Sequence, residues 1–403
     1  MPLIKPSPSG RYFTDEWGKP VFWLGDTQWE LFRLFTPEGA GPILKDRQAK
    51  GFNAILIMLM GVDMTRFGQK DQVPYANLEG EKPWLDDDPE KPNEKYFRHI
   101  DPIIRLGAKT GQVFVVGVYH QWHLETITVP KARAWAKWVA NRYRDVPDLI
   151  WCMYPKATEE YKPVCRELAA GLREGDGGKH LISVHPDPSV ASSSFMHDEE
   201  WLAFNMIQTC VDYDRIHEAV TVDYRRTPAK PVVMAEGGYE GVEFEKLQTP
   251  HHIRKQAWWT QLGGGYHVYG HNEAWMFPAQ WKKWLDSPGS RHLKVFRDVM
   301  TSLDGWWDLV PDQSLFASGT GSGYALNAAA RSPSSDMFLA YLSEPCTAIV
   351  RPGAVTGGKQ VKATWIDPAT GERTEAGSFP ANAAQSFTSP KDREDAVLLL
   401  RAG

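Results

Sequence analysis

The sequence has little cysteine: four residues in 403, scattered and without a CxxC pair or a neighbouring histidine cluster. A zinc site or a disulfide scaffold is therefore not expected, and no motif implies a cofactor. The chain also lacks an excess of charge of one sign, because 45 Lys and Arg stand against 50 Asp and Glu, for a net charge of -5. A nucleic-acid or anionic-membrane partner would normally need a basic stripe, so we expect neither.

Long hydrophobic runs are missing as well. No apolar run reaches membrane-spanning length, and the N-terminal segment MPLIKPSPSGRYF lacks the apolar region of a signal peptide. We expect a soluble chain whose compartment stays open: cytoplasmic, or periplasmic or secreted after processing. The motifs GxSxG and HExxH are absent, as is a GxGxxG that opens a helix after a strand, so the enzyme classes that they mark are not indicated.

Tryptophan, in contrast, is abundant, with 17 copies. Burial in a core is one explanation, since large aromatic side chains stabilise cores. Sugar rings also stack their C–H faces on indole rings, so the same content favours a carbohydrate-binding protein.

The first three quarters of the chain alternate short apolar runs with helical segments. Runs such as FVVGVY and PVVMAE are apolar on both faces, as strands of a parallel barrel are. Eight such runs separated by helices predict an α/β fold, a (β/α)₈ TIM barrel. The predicted strands are Val21–Leu24, Ala54–Met58, Val113–Val118, Leu149–Met153, Leu181–Val184, Leu202–Met206, Val232–Ala235 and Tyr266–Tyr269, and predicted helices include Thr36–Lys50, Tyr96–Thr110, Lys131–Arg144 and Glu159–Arg173.

The composition changes near residue 310. After Pro311 the chain is rich in Gly, Ala, Ser and Thr, and turn signals separate short β-type runs, which predicts a small C-terminal antiparallel β-sandwich. We therefore divide the chain into a barrel over residues 1–310 and a sandwich over residues 311–403. The predicted strands of the sandwich are Met337–Leu342, Thr347–Val350, Val361–Ile366 and Ala396–Leu400.

Six motifs in order along the barrel carry a family resemblance: FWLGDTQWELF, GFNAI, EGDGGKHLISVHP, WLAFNMIQ, KPVVMAEGGYE and GGGYHVYGHNEAW. Together they resemble the apiosidase-like glycoside hydrolase family. The segments WIDPATGE and FTSPKDREDAVLLL resemble the small β-domain, labelled collagen-binding, that follows this barrel. The resemblance implies a glycosidase that acts on a plant or microbial glycan, and an exo-acting enzyme that retains anomeric configuration. We expect the small domain to buttress the barrel.

The resemblance also implies the catalytic residues. It assigns the nucleophile to Glu236, which ends the seventh strand in the string AEGGYE. A retaining glycosidase needs a second carboxyl about 5–5.5 Å away to protonate the leaving oxygen. The family carries that acid after the fourth strand, in a string like Trp-x-x-Gly-Gly-Asp, whereas this chain has Lys156 at the corresponding position.

Three interpretations of this departure stay open. In the first, another carboxyl donates the proton: Glu273 in HNEAW, or Glu159 or Glu160. In the second, Lys156 binds an anionic sugar such as a uronate. In the third, the barrel has lost hydrolysis and binds glycans without cleaving them. A uronate lyase, with Lys156, His120 or a tyrosine as the base, is a weaker alternative.

The remaining site candidates lie where strands end, because the carboxyl ends of barrel strands form the active face. Each has an ordinary alternative: Asp26 as the cap of an Asx turn, the histidines and tryptophans as core residues, and Glu273 as a salt-bridge partner at the rim. Tyr239 is expected to position Glu236. The predicted substrate-binding residues are Asp26, Trp29, His120, Trp122, Lys156, His185, Gln208, Tyr239, His271, Asn272 and Trp275, and no metal ligand is predicted.

Overall fold

The computed structural model describes residues 4–210, 212–243, 246–351, 355 and 357–403. Eight parallel strands close into a barrel, because the seventh strand pairs with both the sixth and the eighth, and the eighth pairs with the first. The predicted (β/α)₈ fold is confirmed. The barrel strands are β1 (Leu24–Thr27), β2 (Ala54–Met58), β3 (Val113–His120), β4 (Leu149–Tyr154), β5 (Leu181–Val184), β6 (Leu202–Gln208), β7 (Val232–Glu236) and β8 (Tyr266–Tyr269).

Helices connect these strands and cover the outside of the barrel. The longest ends at Gly111, whose positive φ of 67° suits glycine at a helix C-terminus. The principal helices are α1 (Pro37–Ala49), α2 (Glu94–Thr110), α3 (Val129–Tyr143), α4 (Lys162–Asp176), α5 (Ile216–Tyr224), α6 (Pro250–Leu262) and α7 (Pro288–Thr301), and four short ones span Leu31–Leu34, Ser193–Met196, Asn272–Met276 and Trp281–Trp284.

The first barrel strand begins three residues later than predicted. Val21 belongs to a separate three-stranded antiparallel sheet, formed by Lys5–Pro6, Phe13–Thr14 and Pro20–Val21. Gly25 and Asp26 resemble turn residues in the sequence, yet both pair with β2 and β8. The ladder needs glycine at position 25, because a Cβ there would lie 2.7 Å from Val268 Cγ2.

The C-terminal segment forms two antiparallel sheets, and the predicted sandwich is confirmed. Its strands are β9 (Val310–Pro311), β10 (Phe316–Ser318), β11 (Ala328–Arg331), β12 (Met337–Leu342), β13 (Thr347–Val350), β14 (Gln360–Ile366), β15 (Arg373–Pro380), β16 (Gln385–Thr388) and β17 (Ala396–Ala402). The six-stranded sheet has the order β9, β11, β12, β17, β14, β15, and the three-stranded sheet has the order β10, β13, β16.

The larger sheet packs against α6 of the barrel. Trp258 on α6 stacks on Tyr341 of β12, with ring centroids 5.8 Å apart, and also contacts Phe296 of α7. Side chains from both units belong to one continuous hydrophobic core. Within the described residues no helix is both long and apolar enough to cross a membrane.

Candidate active site

A cavity of about 550 Å³ opens at the carboxyl ends of the barrel strands, the face at which barrels of this fold carry their sites. Its size suits a small ligand. Of the predicted site residues, eight line it: Trp29, His120, Trp122, Gln208, Glu236, Tyr239, Asn272 and Trp275.

Glu236 ends β7 at the floor of this cavity, and its side chain is only 18% exposed. Burial raises the pKa of Glu236 to about 7, although hydrogen bonds from Tyr239 and Gln208 to the carboxylate act in the opposite direction. The neighbouring strand contributes Gln208, which pairs with Glu236 across a bulge at the end of β6. A carboxyl that titrates near neutral pH in a cavity is typical of a functional site.

His185, the residue after β5, lies beneath the cavity and contacts Glu236. Its Nδ1 is 3.1 Å from the carbonyl oxygen of Pro186, which only accepts hydrogen bonds, so Nδ1 carries the proton. Burial lowers the pKa of His185 to about 3, and the ring is therefore neutral. Its Nε2 is then an acceptor, 3.4 Å from Oε2 of Glu236. His185 Nε2 and a carboxylate oxygen of Glu236 would both be acceptors without a hydrogen between them. Their proximity therefore favours the protonated form of the Glu236 carboxyl.

Tyr239 connects Glu236 to the first barrel strand. The indole Nε1 of Trp29 donates to the Tyr239 hydroxyl at 2.8 Å, and this hydroxyl in turn bonds to Glu236. The nearby carboxylate and burial both raise the pKa of Tyr239, with burial the larger cause, so the phenol stays protonated. The predicted positioning of Glu236 by Tyr239 agrees with these contacts.

β4 ends at Tyr154, two residues before Lys156. The ring of Tyr154 stacks on His185 at 3.7 Å between centroids and faces His120 at 5.8 Å. Burial raises the pKa of Tyr154 well above its usual value, and the charge of Glu236 adds to the effect. The pKa of His120 is lowered to about 4 by burial and by the charge of Arg66. All three rings are therefore uncharged at neutral pH.

Asp26 lies outside the cavity lining, contrary to the expectation that it binds sugar. Its carboxylate is fully buried, and Oδ2 accepts from Arg47 Nε at 2.7 Å and from Gln28 Nε2 at 2.8 Å. Asp26 lies inside the barrel because β1 continues through it, and Arg47 of α1 neutralises its charge. Asp26 is thus part of a buried ion pair.

Lys156 and the three candidates for the missing acid also lie outside the lining. Lys156, Glu159 and Glu160 are exposed. Glu273 stands in the first turn of the short helix that His271 caps through Nδ1, and neither residue borders the cavity. Two carboxylates that the sequence analysis did not select do border it, Asp187 and Glu243.

We expect Lys156→Ala to change kcat/KM by no more than about twofold, because substitutions of exposed residues away from a site have small effects. Steady-state kinetics with a glycoside that wild type cleaves checks this prediction. Gln208→Ala, which removes a side chain that lines the cavity, is the comparison and should lower kcat/KM by at least about tenfold. A loss above tenfold in Lys156→Ala would return Lys156 to the site.

Phe67 and Asp187 line the cavity but were not selected in the sequence analysis. Phe67 lies on a 3₁₀ turn in the long segment between β2 and α2, a segment whose length gave no indication that it covers the cavity. Asp187 follows His185 by two positions, and its Oδ1 accepts from Gln121 Nε2 at 2.8 Å. The place of Asp187 after the predicted fifth strand was the available signal.

Among the described residues, no group of three or more His, Cys, Asp or Glu is arranged to hold a metal ion.

Comparison with models of protein families shows which family the chain belongs to. Residues 7–308 match the family model "Apiosidase-like, catalytic domain". The chain belongs to the apiosidase-like family. The resemblance of the motifs is thereby confirmed, as is the glycoside hydrolase class at the level of the family. Residues 310–401 match "Putative collagen-binding domain of a collagenase", while the division of the chain at residue 310 stays a prediction.

Solved structures show the same fold. A glycoside hydrolase of family 5 from Bacteroides vulgatus ATCC 8482 superposes with a TM-score of 0.88 at 24% identity, over 99% of this chain and 93% of that chain. A second glycoside hydrolase gives a TM-score of 0.88 at 24% identity, over 100% and 97%. A family 5 mannosidase from Rhizomucor miehei gives 0.50 at 14% identity, over 66% and 85%. No curated protein matches the chain.

Proposed function

We propose that this member of the apiosidase-like family hydrolyses a glycosidic bond, with Glu236 as the nucleophile. The observation that carries the proposal is the Glu236 carboxyl at the cavity floor, held by Tyr239 and Gln208 and set against His185. In the retaining reaction the carboxylate attacks the anomeric carbon, and water then hydrolyses the glycosyl ester. Trp29 orients Tyr239, and Tyr239 orients the attacking oxygen.

The sugar is proposed to lie between Glu236 and the aromatic residues of the wall. Gln208 and Asn272 offer amide groups to sugar hydroxyls, and both border the cavity. A carbohydrate substrate is also what the family relationship supports. The proposal includes two finer points: the enzyme acts at the ends of glycan chains, and the product retains the anomeric configuration of the substrate.

A screen of aryl glycosides of pentoses, hexoses and uronic acids, with wild type and Glu236→Ala, tests the function. Turnover that the substitution abolishes supports hydrolysis. A second candidate function, a glycan-binding barrel without turnover, is favoured by β4, which ends at Tyr154 and contains no carboxyl. Affinity for glycans in isothermal titration, with no turnover of any glycoside in the screen, would favour it over hydrolysis.

The activity should rise with pH through about 7. Burial raises the pKa of Glu236 to about 7, and only the ionised carboxylate attacks. Activity is therefore present above this pKa and is lost as the pH falls through it. We expect kcat/KM at pH 5 to be about 100-fold below its plateau, from one proton with a pKa of 7. A profile that stays flat down to pH 5 would contradict the assignment.

Tyr239→Phe provides the matched control for this profile. The hydrogen bond from Tyr239 favours the ionised carboxylate, so its removal should move the midpoint of the profile to higher pH. A structural effect alone would lower the rate without moving the midpoint.

A further inference from the structure

The mouth of the cavity is aromatic. Three loops contribute one ring each: Phe67 after β2, Trp122 after β3 and Trp275 after β8. Phe67 lies in the middle, with its centroid 4.7 Å from Trp275 at an interplanar angle of 90° and 5.9 Å from Trp122. It remains 40% exposed. An exposed phenylalanine at a cavity entrance loses its contact with water when a ligand covers it, which favours binding.

The floor differs chemically from the mouth. At the floor stand Glu236 and Gln208, together with Tyr154 Oη, a buried polar atom that has no hydrogen-bond partner among the described residues. Buried polar atoms without partners are costly unless a ligand or water satisfies them. The floor is thus suited to the hydroxyls of one sugar residue.

The mouth, in contrast, is not built like a second sugar subsite. A sugar would stack on the open face of an indole, but the guanidinium of Arg66 already lies over Trp122, 4.7 Å from the ring centroid. The Phe67–Trp275 pair presents an edge-to-face arrangement, which a further aromatic ring extends favourably.

We propose that the substrate is an aryl glycoside, with its sugar on the floor and its phenolic ring against Phe67, Trp122 and Trp275. This rests on the proposed hydrolysis at Glu236. The same substrate agrees with the end of β4, where Tyr154 borders the cavity and the strand offers no carboxyl. A phenol has a pKa near 10 and can leave as its anion, whereas an alcohol has a much higher pKa, close to that of water, and needs protonation.

The reaction balances without a proton donor in the first step. A Glu236 oxygen attacks the anomeric carbon, the bond from this carbon to the phenolic oxygen breaks, and phenolate departs with the electron pair. Water then attacks the anomeric carbon of the ester, Glu236 leaves as carboxylate, and the proton released by water neutralises the phenolate in solution. Asp187 and Glu243 also border the cavity, and efficient cleavage of alkyl glycosides would assign proton donation to one of them.

The first test compares leaving groups on the sugar that the screen identifies. Wild type should cleave the phenyl glycoside at least about 100-fold faster than the methyl glycoside in kcat/KM. The glycosyl fluoride also has a good leaving group, but that group has no aromatic ring. The kcat/KM for the 4-nitrophenyl glycoside divided by the kcat/KM for the glycosyl fluoride therefore measures the contribution of the ring's contact with the cavity mouth. We expect Phe67→Ala to lower this ratio about tenfold. Trp17→Ala, which removes a tryptophan 76% exposed outside the cavity, is the control and should leave the ratio unchanged.

A second measurement does not depend on turnover. Saturation-transfer NMR with p-methoxyphenol should show binding to wild type and Trp17→Ala and a lost signal in Phe67→Ala. Phe67→Leu keeps an apolar side chain without the ring and should change in the same direction, should the alanine variant not fold. Equal cleavage of phenyl and methyl glycosides, or phenol binding that persists without Phe67, would overturn the aryl proposal. Turnover that survives Glu236→Ala would instead overturn the proposed function.

Discussion

Replacing Glu236 by alanine should lower kcat on an activated aryl glycoside by about 10⁴- to 10⁶-fold, the range seen when a covalent nucleophile is removed. The substitution takes away the carboxyl at the cavity floor, and neither His185 nor Tyr154 replaces it. His185 is neutral and its only free nitrogen faces the position of the carboxyl. Burial keeps Tyr154 protonated. Steady-state kinetics with the aryl glycoside that wild type cleaves measures the loss.

Azide separates a nucleophile from a proton donor. In Glu236→Ala the small anion enters the vacated space and attacks the anomeric carbon directly, so the product should be a glycosyl azide of inverted configuration. A variant of the acid would give the azide with retained configuration, because the enzyme nucleophile still acts first. Proton NMR of the anomeric centre distinguishes the two products.

Glu273→Ala is the control for this experiment. It removes a glutamate from the same face of the barrel but outside the cavity lining, and we expect nearly full activity. Loss of activity in this variant, restored by azide with retained configuration, would assign the proton donor to Glu273.

The barrel was predictable because its strands are apolar on both faces. All five residues of β2 are buried, and a run such as AILIM is unambiguous in the sequence. The first strand was predicted three residues too early for the opposite reason, because Gly25 and Asp26 are residue types that are common in turns. Only the structure reveals that Val268 crowds Gly25 and that Arg47 neutralises Asp26.

The site was predictable where a residue ends a strand and less so on loops. Glu236 and Gln208 stand at the ends of β7 and β6, so the shared face of the barrel brings them together. Lys156 lies two residues beyond β4, and over that distance the chain turns it to solvent. Phe67 reaches the cavity from a long loop, and no periodicity in the sequence indicates where such a loop folds back.

The interface between barrel and sandwich should depend on one buried ion pair. Arg254 of α6 donates from Nη2 to Oδ1 of Asp395, just before β17, at 2.7 Å, and the two side chains are 3% and 2% exposed. The Tyr341 hydroxyl also donates to this carboxylate, at 2.6 Å. Removal of one partner leaves the other charge buried. We therefore expect Arg254→Met to lower the free energy of unfolding by about 3–5 kcal/mol.

Urea unfolding followed by tryptophan fluorescence measures this loss, and a surface pair calibrates it. Arg133 and Glu167 are also 2.7 Å apart but 50% and 33% exposed, so Arg133→Met should cost no more than about 1 kcal/mol. The double variant Arg254→Met, Asp395→Leu should recover part of the loss, because no unpaired charge remains. An equally small loss in Arg254→Met would mean that other contacts, such as Trp258 on Tyr341, hold the two units together without help from this ion pair.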